Sequence, residues 1–127
     1  MIISKDFKFE AGHHLRDYVG KCANPHGHSY FGRIWIATPA SNLDKTGFVM
    51  DYGEISDVVN SLDHKDLNEI EYFKQINPTA ENIAICLVRL LEVRLPTTHT
   101  VAIKLQETAS SSVFYTNDSN LEFLAAV

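Results

Sequence analysis

The chain has 127 residues, the size of one ordinary domain, and we assign residues 1–127 to a single domain. A 45% hydrophobic content excludes a disordered chain, and a formal charge of −5 without any basic run argues against a nucleic-acid partner. No apolar stretch approaches the ~18 residues of a membrane span, so we expect no membrane partner. The N-terminal residues lack the apolar core and the cleavage site of a signal peptide. Two cysteines in unlike sequence contexts are not expected to form a disulfide, which predicts a reducing, cytoplasmic location.

Two strands are predicted near the N-terminus. The first covers about residues 3–13, where apolar side chains from Phe7 onward alternate with polar ones and His13 falls on the apolar face. The second begins near His28 with the β-branched and aromatic run "SYFGRIWIAT" and ends at the turn sequence "PASNLDKTG". Because the two strands follow each other, we expect them to pair as antiparallel neighbours.

Two helices are predicted in the middle of the chain. Asp51 and Glu54 resemble a capping box, and the residues after them form one apolar stripe of helical period: Ile55, Val58, Val59 and Leu62. The second helix follows "NPTAENIAICLVRLLEVRL", with Thr79 as its N-cap and Pro96 beyond its end. Both helices therefore lie between the first and last strands in the sequence.

Two further strands are predicted at "HTVAIKLQET" and "SVFYT". The resulting order, ββααββ, predicts an α+β fold in which a four-stranded antiparallel sheet carries both helices on one face. The opposite face of that sheet would lack cover in a single chain, which favours a homo-oligomer.

Three histidines could converge on one metal ion. His26 and His28 are two residues apart, so on extended backbone they share a face at a Cα separation of roughly 6.6 Å. His13 ends the neighbouring strand on its apolar face, whereas His14 points to the other side. Three imidazoles without a thiolate pair are typical of an open zinc site that keeps a position for water or substrate.

Cys22 lies just before these histidines and has three possible roles. It could be a fourth ligand that closes the site, an inert buried thiol, or a base whose thiolate is favoured by the charge of the metal. The residues alone do not decide among these roles.

Two more polar positions are unusual. In "LDHKDLN", Asp63 precedes His64 and could orient its imidazole for proton transfer, although an ordinary polar helix end would look the same. Glu107 falls on an otherwise apolar strand face, where its carboxylate could pair with two parallel N–H donors of a ligand or could simply reach water.

Five motifs together are similar to the 6-pyruvoyl-tetrahydropterin synthase superfamily. They are "FEAGHHL", "CANPHGH", "LDHKDLN", "NPTAEN" and "KLQET", in the order and spacing of that superfamily, and the match runs from Phe7 to about Tyr115. The spacing Cys-x₃-His-Gly-His most resembles the branch that makes 6-carboxytetrahydropterin in queuosine biosynthesis.

The resemblance implies a tunnelling fold, in which the sheets of several subunits join edge to edge into a barrel, and a hexamer that is a dimer of trimers. It implies a lyase that uses Zn²⁺ and converts 7,8-dihydroneopterin triphosphate to 6-carboxytetrahydropterin, with release of triphosphate and acetaldehyde. A pyruvoyl-type lyase of the same superfamily and a non-catalytic zinc- or pterin-binding module are the alternatives.

The resemblance also assigns roles to individual residues. The zinc ligands match His13, His26 and His28. The proton-transfer groups match Cys22, Asp63 and His64. The groups that bind the pterin match Glu107 and Thr79. Two positions depart from many relatives, Gly12 in place of Ala or Ser and His14 in place of Arg, and neither removes a proposed functional group.

Overall fold

The fold is built on one five-stranded sheet, and the computed structural model describes the whole chain, residues 1–127. The elements in chain order are β1 (Ile2–His13), β2 (His26–Ala37), α1 (Tyr52–Asn60), β3 (Lys65–Asp66), α2 (Ala80–Arg94), β4 (Thr100–Thr108) and β5 (Ser111–Thr116). In the sheet the strands lie in the order β3-β1-β2-β4-β5. None of the helices has the length and apolar character needed to cross a membrane.

The predicted α+β class is confirmed, but the predicted sheet of four antiparallel strands is wrong in one respect. The four long strands do pair antiparallel, whereas β3 adds two residues parallel to β1, opposite Ala11 and Gly12. The chain order is therefore ββαβαββ rather than ββααββ. A strand of two exposed, charged residues has no alternating pattern, so only its pairing with β1 reveals it.

Both helices pack on the same face of the sheet, as the sequence predicts. Asp51 and Thr79 are the N-caps, and each side chain accepts a backbone N–H bond from the first turn of its helix. Between the helices and the sheet lies a core of buried apolar side chains, in which Phe9 of β1 stacks on Tyr30 of β2 at 4.9 Å between ring centroids. This core extends to the end of the sheet where β1 ends and β2 begins.

The other face of the sheet is partly covered by the chain itself. A 3-10 helix at Ser119–Ala126 places Leu121 and Leu124 against Trp35 and Ala102. The rest of this face includes Phe31 and an ion pair between Asp6 and Arg33. The uncovered area is therefore smaller than the sequence suggested, because a segment with no strong helical pattern folds over it.

Gly32 permits a close approach between β2 and β4. A Cβ atom at this position would lie 1.9 Å from the carbonyl oxygen of Lys104, far inside any normal contact. Glycine is therefore required here by packing between backbones rather than by an unusual backbone angle.

Candidate active site

The three predicted histidines meet where β1 ends and β2 begins. His13 lies directly opposite His26 in the antiparallel ladder, and His28 lies opposite Ala11 on the same face. Their ring nitrogens form one group in which the candidate ligand atoms all lie within 4.8 Å of one another. The structure thus brings His13, His26 and His28 together and leaves His14 outside, as strand parity predicts.

The hydrogen bonds around this cluster suit a metal ion. His13 Nδ1 lies 2.7 Å from the carbonyl oxygen of Pro78, and His26 Nδ1 lies 2.8 Å from that of Asn24. A carbonyl oxygen can only accept, so each Nδ1 carries the proton and each Nε2 presents a lone pair. These two Nε2 atoms are 3.0 Å apart, an arrangement that a shared cation stabilises and that two lone pairs alone do not.

His28 supplies the third candidate ligand nitrogen of this group. Its Nε2 is buried and makes no hydrogen bond. The carboxylate of Glu107 lies 3.0 Å from this atom, but the two groups are not aligned as a hydrogen bond. A buried nitrogen without a partner is uncommon, and a metal ion would satisfy it, so the donor set fits a metal centre.

Burial keeps two groups of the cluster neutral. Burial lowers the pKa of His13, against a smaller opposing effect of the Pro78 carbonyl, and neutral imidazole is the form that binds metals. Burial also raises the pKa of Tyr30, so its phenol stays protonated. Tyr30 Oη lies 3.3 Å from His13 Nδ1, which places this ring directly behind the ligand cluster.

A cavity of about 180 Å³ opens beside the histidines and gathers most of the remaining predicted residues. It is lined by His13, Leu15, Cys22, His26, Thr79, Ala80, Glu81 and Glu107. Cys22 is half-buried, lines this cavity and lies outside the group of candidate metal ligands. The Thr79 hydroxyl accepts the Asn82 N–H at 3.1 Å, and its own hydrogen remains available to a ligand.

Asp63 and His64 form a second pair at the edge of β1. Asp63 accepts the backbone N–H of Glu10 at 2.8 Å and contacts His64 Nδ1 at 2.9 Å. These two hydrogen bonds, the backbone one first, lower the pKa of Asp63, so its carboxylate stays ionised. His64 has a left-handed φ of 56°, and its N–H donates to the Glu10 carbonyl, which helps to hold this uncommon conformation.

The imidazole of His64 is 78% exposed and faces an open cleft of about 680 Å³. This cleft also borders the three histidines, and its lining further includes Glu10, Ser29, Lys65 and Asp66. Cys22 and His64 therefore do not line one common cavity within a single chain, although both cavities adjoin His13 and His26.

Comparison with known proteins identifies the family. A model of the family described as 6-pyruvoyl tetrahydropterin synthase matches residues 2–118. The chain belongs to this family. The 6-carboxy-5,6,7,8-tetrahydropterin synthase of Synechocystis sp. is 37% identical over 122 residues, which cover 90% of this chain and 92% of that protein.

More distant members of the 6-pyruvoyl tetrahydropterin synthase family include the human 6-pyruvoyl tetrahydrobiopterin synthase, 27% identical over 129 residues that cover 89% of each chain. The solved structure of the Caenorhabditis elegans 6-pyruvoyl tetrahydropterin synthase matches with a TM-score of 0.73 and 27% identity, and covers 93% of this chain and 96% of that one. The family and the enzyme class that the motifs predict are confirmed.

Three contributors to the site of this family member escaped sequence reasoning. The carbonyl groups of Asn24 and Pro78 orient two histidines, and a backbone carbonyl leaves no signal in residue type. Tyr30 could have been found, because it lies two residues beyond His28 and so shares its face.

Proposed function

We propose that this chain is a zinc-dependent lyase that converts 7,8-dihydroneopterin triphosphate to 6-carboxy-5,6,7,8-tetrahydropterin, with release of triphosphate and acetaldehyde. The observation that carries the proposal is the convergence of His13, His26 and His28 next to a cavity lined by Cys22 and Glu107. The similarity to the Synechocystis synthase, together with the Cys-x₃-His-Gly-His spacing, favours the 6-carboxy product.

Glu107 and Thr79 would bind the pterin ring. A pterin presents parallel N–H donors on one edge, and a carboxylate accepts two such donors at once. Glu107 has no aligned hydrogen-bond donor in the chain, and Thr79 still has a hydroxyl hydrogen to donate. Both residues line the cavity next to His13 and His26, so the ring would lie beside the metal ligands.

The metal would be held by His13, His26 and His28. A zinc ion held there would supply Lewis-acid chemistry toward substrate oxygens. The protein's part is to present the Nε2 atoms in the required tautomer, and the carbonyls of Asn24 and Pro78 fix that tautomer for two of the three rings.

Cys22 and His64 would move protons on two sides of the substrate side chain. The Cys22 thiolate would take a proton within the cavity wall. Asp63 accepts the Nδ1–H of His64 and so leaves Nε2 free to give or take a proton at the exposed edge of the ring. A carboxylate that stays ionised is suited to stabilise the imidazolium formed in that step.

The chain would work as a homo-oligomer, which we expect to be a hexamer built as a dimer of trimers. The short strand β3 and the outer strand β5 leave two sheet edges open, and part of the sheet face opposite the helices is uncovered. The separation of Cys22 and His64 into different cavities also favours assembly, because a neighbouring copy could complete each site. Light scattering coupled to size-exclusion chromatography measures the mass.

The test is a product analysis with purified, zinc-loaded protein and 7,8-dihydroneopterin triphosphate. The proposal requires release of acetaldehyde and triphosphate in equal amounts. Cys22→Ala should lower kcat by about 10²–10⁴ because a proton-transfer group is lost, and Asp63→Asn should lower it in the same direction. Cys86→Ala is the matched control, because Cys86 is buried in α2 and away from the cavity, and its pKa is raised to about 11.

One alternative is a lyase that makes the 6-pyruvoyl product, which the resemblance to the human enzyme supports at lower identity. Triphosphate release without acetaldehyde would establish that product instead. Turnover of neither kind, together with tight binding of zinc or pterin, would show a non-catalytic binding module.

A further inference from the structure

Two asparagine side chains form hydrogen bonds with the backbone just beyond His13, the proposed metal ligand. Asn68 Oδ1 accepts the N–H of His14 at 2.9 Å, and Asn68 Nδ2 donates to the carbonyl of His14 at 3.1 Å. Asn77 does the same for Arg16, at 2.8 Å and 3.0 Å. Where β1 ends, the two amides therefore replace the hydrogen bonds that a neighbouring strand would make. We call these four bonds the amide clasp.

The residue between these two positions bonds to the opposite side. The N–H of Leu15 donates to the carbonyl of Cys22 at 2.9 Å. The segment 14–16 is therefore bonded to the asparagines on one edge and to the loop that carries the proposed catalytic thiol on the other. A shift of this segment would move Cys22 relative to His13.

The clasp is also linked to the side chain of His13 through Asn77 and Pro78. Asn77 immediately precedes Pro78, whose carbonyl oxygen receives the His13 Nδ1–H at 2.7 Å. Asn82 Nδ2 donates to the Asn77 carbonyl at 2.9 Å, which holds that peptide against the start of α2. Asn68 is only 3% exposed, so its amide is committed to these bonds and is not available to a ligand.

We propose that Asn68 and Asn77 are positioning residues that fix the metal ligand His13 and the thiol of Cys22 relative to each other. Neither side chain lines the cavity or the cleft, so each acts through the backbone of the segment 14–16. This inference rests on the proposed function for the roles of His13 and Cys22. Loss of a group that hydrogen-bonds a metal ligand directly typically weakens metal binding 10–100-fold, and we take the lower end of that range for groups that act through the backbone.

The experiment compares Asn68→Ala and Asn77→Ala with two controls. Asn42→Ala removes the side-chain amide of an exposed asparagine, and this side chain makes no hydrogen bond within the chain. Val88→Ala removes methyl groups from the buried face of α2 and lowers stability without touching the clasp. Each protein is titrated with Co²⁺ against a competing chelator, and the rate of Cys22 alkylation by iodoacetamide is read by mass spectrometry in the metal-free state.

Each clasp variant should weaken Co²⁺ binding at least 10-fold and raise the alkylation rate of Cys22 at least threefold, while both controls stay within twofold of the wild type. If the clasp variants only lose thermal stability, as Val88→Ala does, the asparagines are merely structural and the inference is wrong. Should Asn77→Ala fail to fold, Asn77→Asp keeps the acceptor for the Arg16 N–H and should give a smaller effect in the same direction.

The two readouts separate this inference from the proposed function. A wild-type chain that binds no Co²⁺ would defeat the metal site, and the clasp would then be judged by the alkylation of Cys22 alone. A wild-type chain that binds Co²⁺ while the clasp variants match it in both measurements would defeat the clasp and leave the proposed function intact.

Discussion

Replacement of His28 by alanine should remove most of the stabilisation that zinc gives to the fold. His28 Nε2 is buried without a hydrogen bond, and it is one of three nitrogens within 4.8 Å of one another. A ligand that binds only the folded state at 100 times its Kd stabilises that state by about 2.7 kcal/mol. For a chain of 127 residues the unfolding entropy is about 0.27 kcal/mol/K, so Tm should rise by about 10 °C.

The His28→Ala variant should lose most of that shift. Loss of a group that hydrogen-bonds a metal ligand weakens metal binding by about 10–100-fold. Loss of the ligand itself should weaken zinc binding by at least about 100-fold. At the same zinc concentration the free energy gained then falls to about 0.4 kcal/mol, or a shift of about 1.5 °C.

Differential scanning calorimetry with and without zinc measures the shift within each variant, so any change in metal-free stability cancels. His14→Ala is the matched control, because His14 is adjacent to a ligand and outside the cluster. It should keep the full shift of the wild type. Equal shifts in the wild type and His28→Ala would refute the three-histidine site, as would loss of the shift in His14→Ala alone.

Three further predictions concern the stability of the metal-free fold. Gly32→Ala places a Cβ 1.9 Å from a carbonyl of β4 and should cost about 3 kcal/mol in urea unfolding, whereas Gly27→Ala, with its nearest neighbour at 3.5 Å, should cost less than about 1 kcal/mol. Leu121→Ala should cost about 2 kcal/mol and shift the emission of Trp35, the only tryptophan, to longer wavelength as its cover loosens. The pKa of His13 is lower in the folded chain than in the unfolded chain. As pH falls through about 6.5, His13 is therefore protonated first in the unfolded chain, and the free energy of unfolding should fall by up to about 1.4 kcal/mol per pH unit. His13→Gln should show a shallower dependence between pH 7.5 and 5.5, and an unchanged slope would contradict this reasoning.

The cluster of histidines could be predicted because strand geometry is strict. Side chains two apart share a face, and the end of one strand lies beside the start of its antiparallel neighbour. Those two rules place His13 opposite His26 and put His28 on the same face. The start of β2 was less predictable, because Pro25 and Gly27 weaken the strand signal just where the ligands begin.

The parts that could not be predicted depend on distant backbone groups. Asp63 and His64 are readable as a dipeptide, but the left-handed turn that aims the imidazole into the cleft is held by the backbone of Glu10, 53 residues earlier than Asp63. Likewise, the carbonyl that sets the tautomer of His13 comes from Pro78, 65 residues away. Such contacts exist only after the sheet and helices have assembled.

Some residues of the candidate site are close together in the sequence and others are far apart, and this difference predicts the order in which the site assembles. His13 and His26 are 13 residues apart, and all three candidate ligands lie in the first two strands. Contacts of short sequence separation close at low entropic cost, so the three histidines can meet as soon as β1 and β2 pair. The carbonyl of Pro78 and the carboxylate of Glu107 lie much further along the chain, so we expect them to join the site later, with α2 and β4. A metal captured early would help the first hairpin to persist while the rest of the cavity wall is still unfolded.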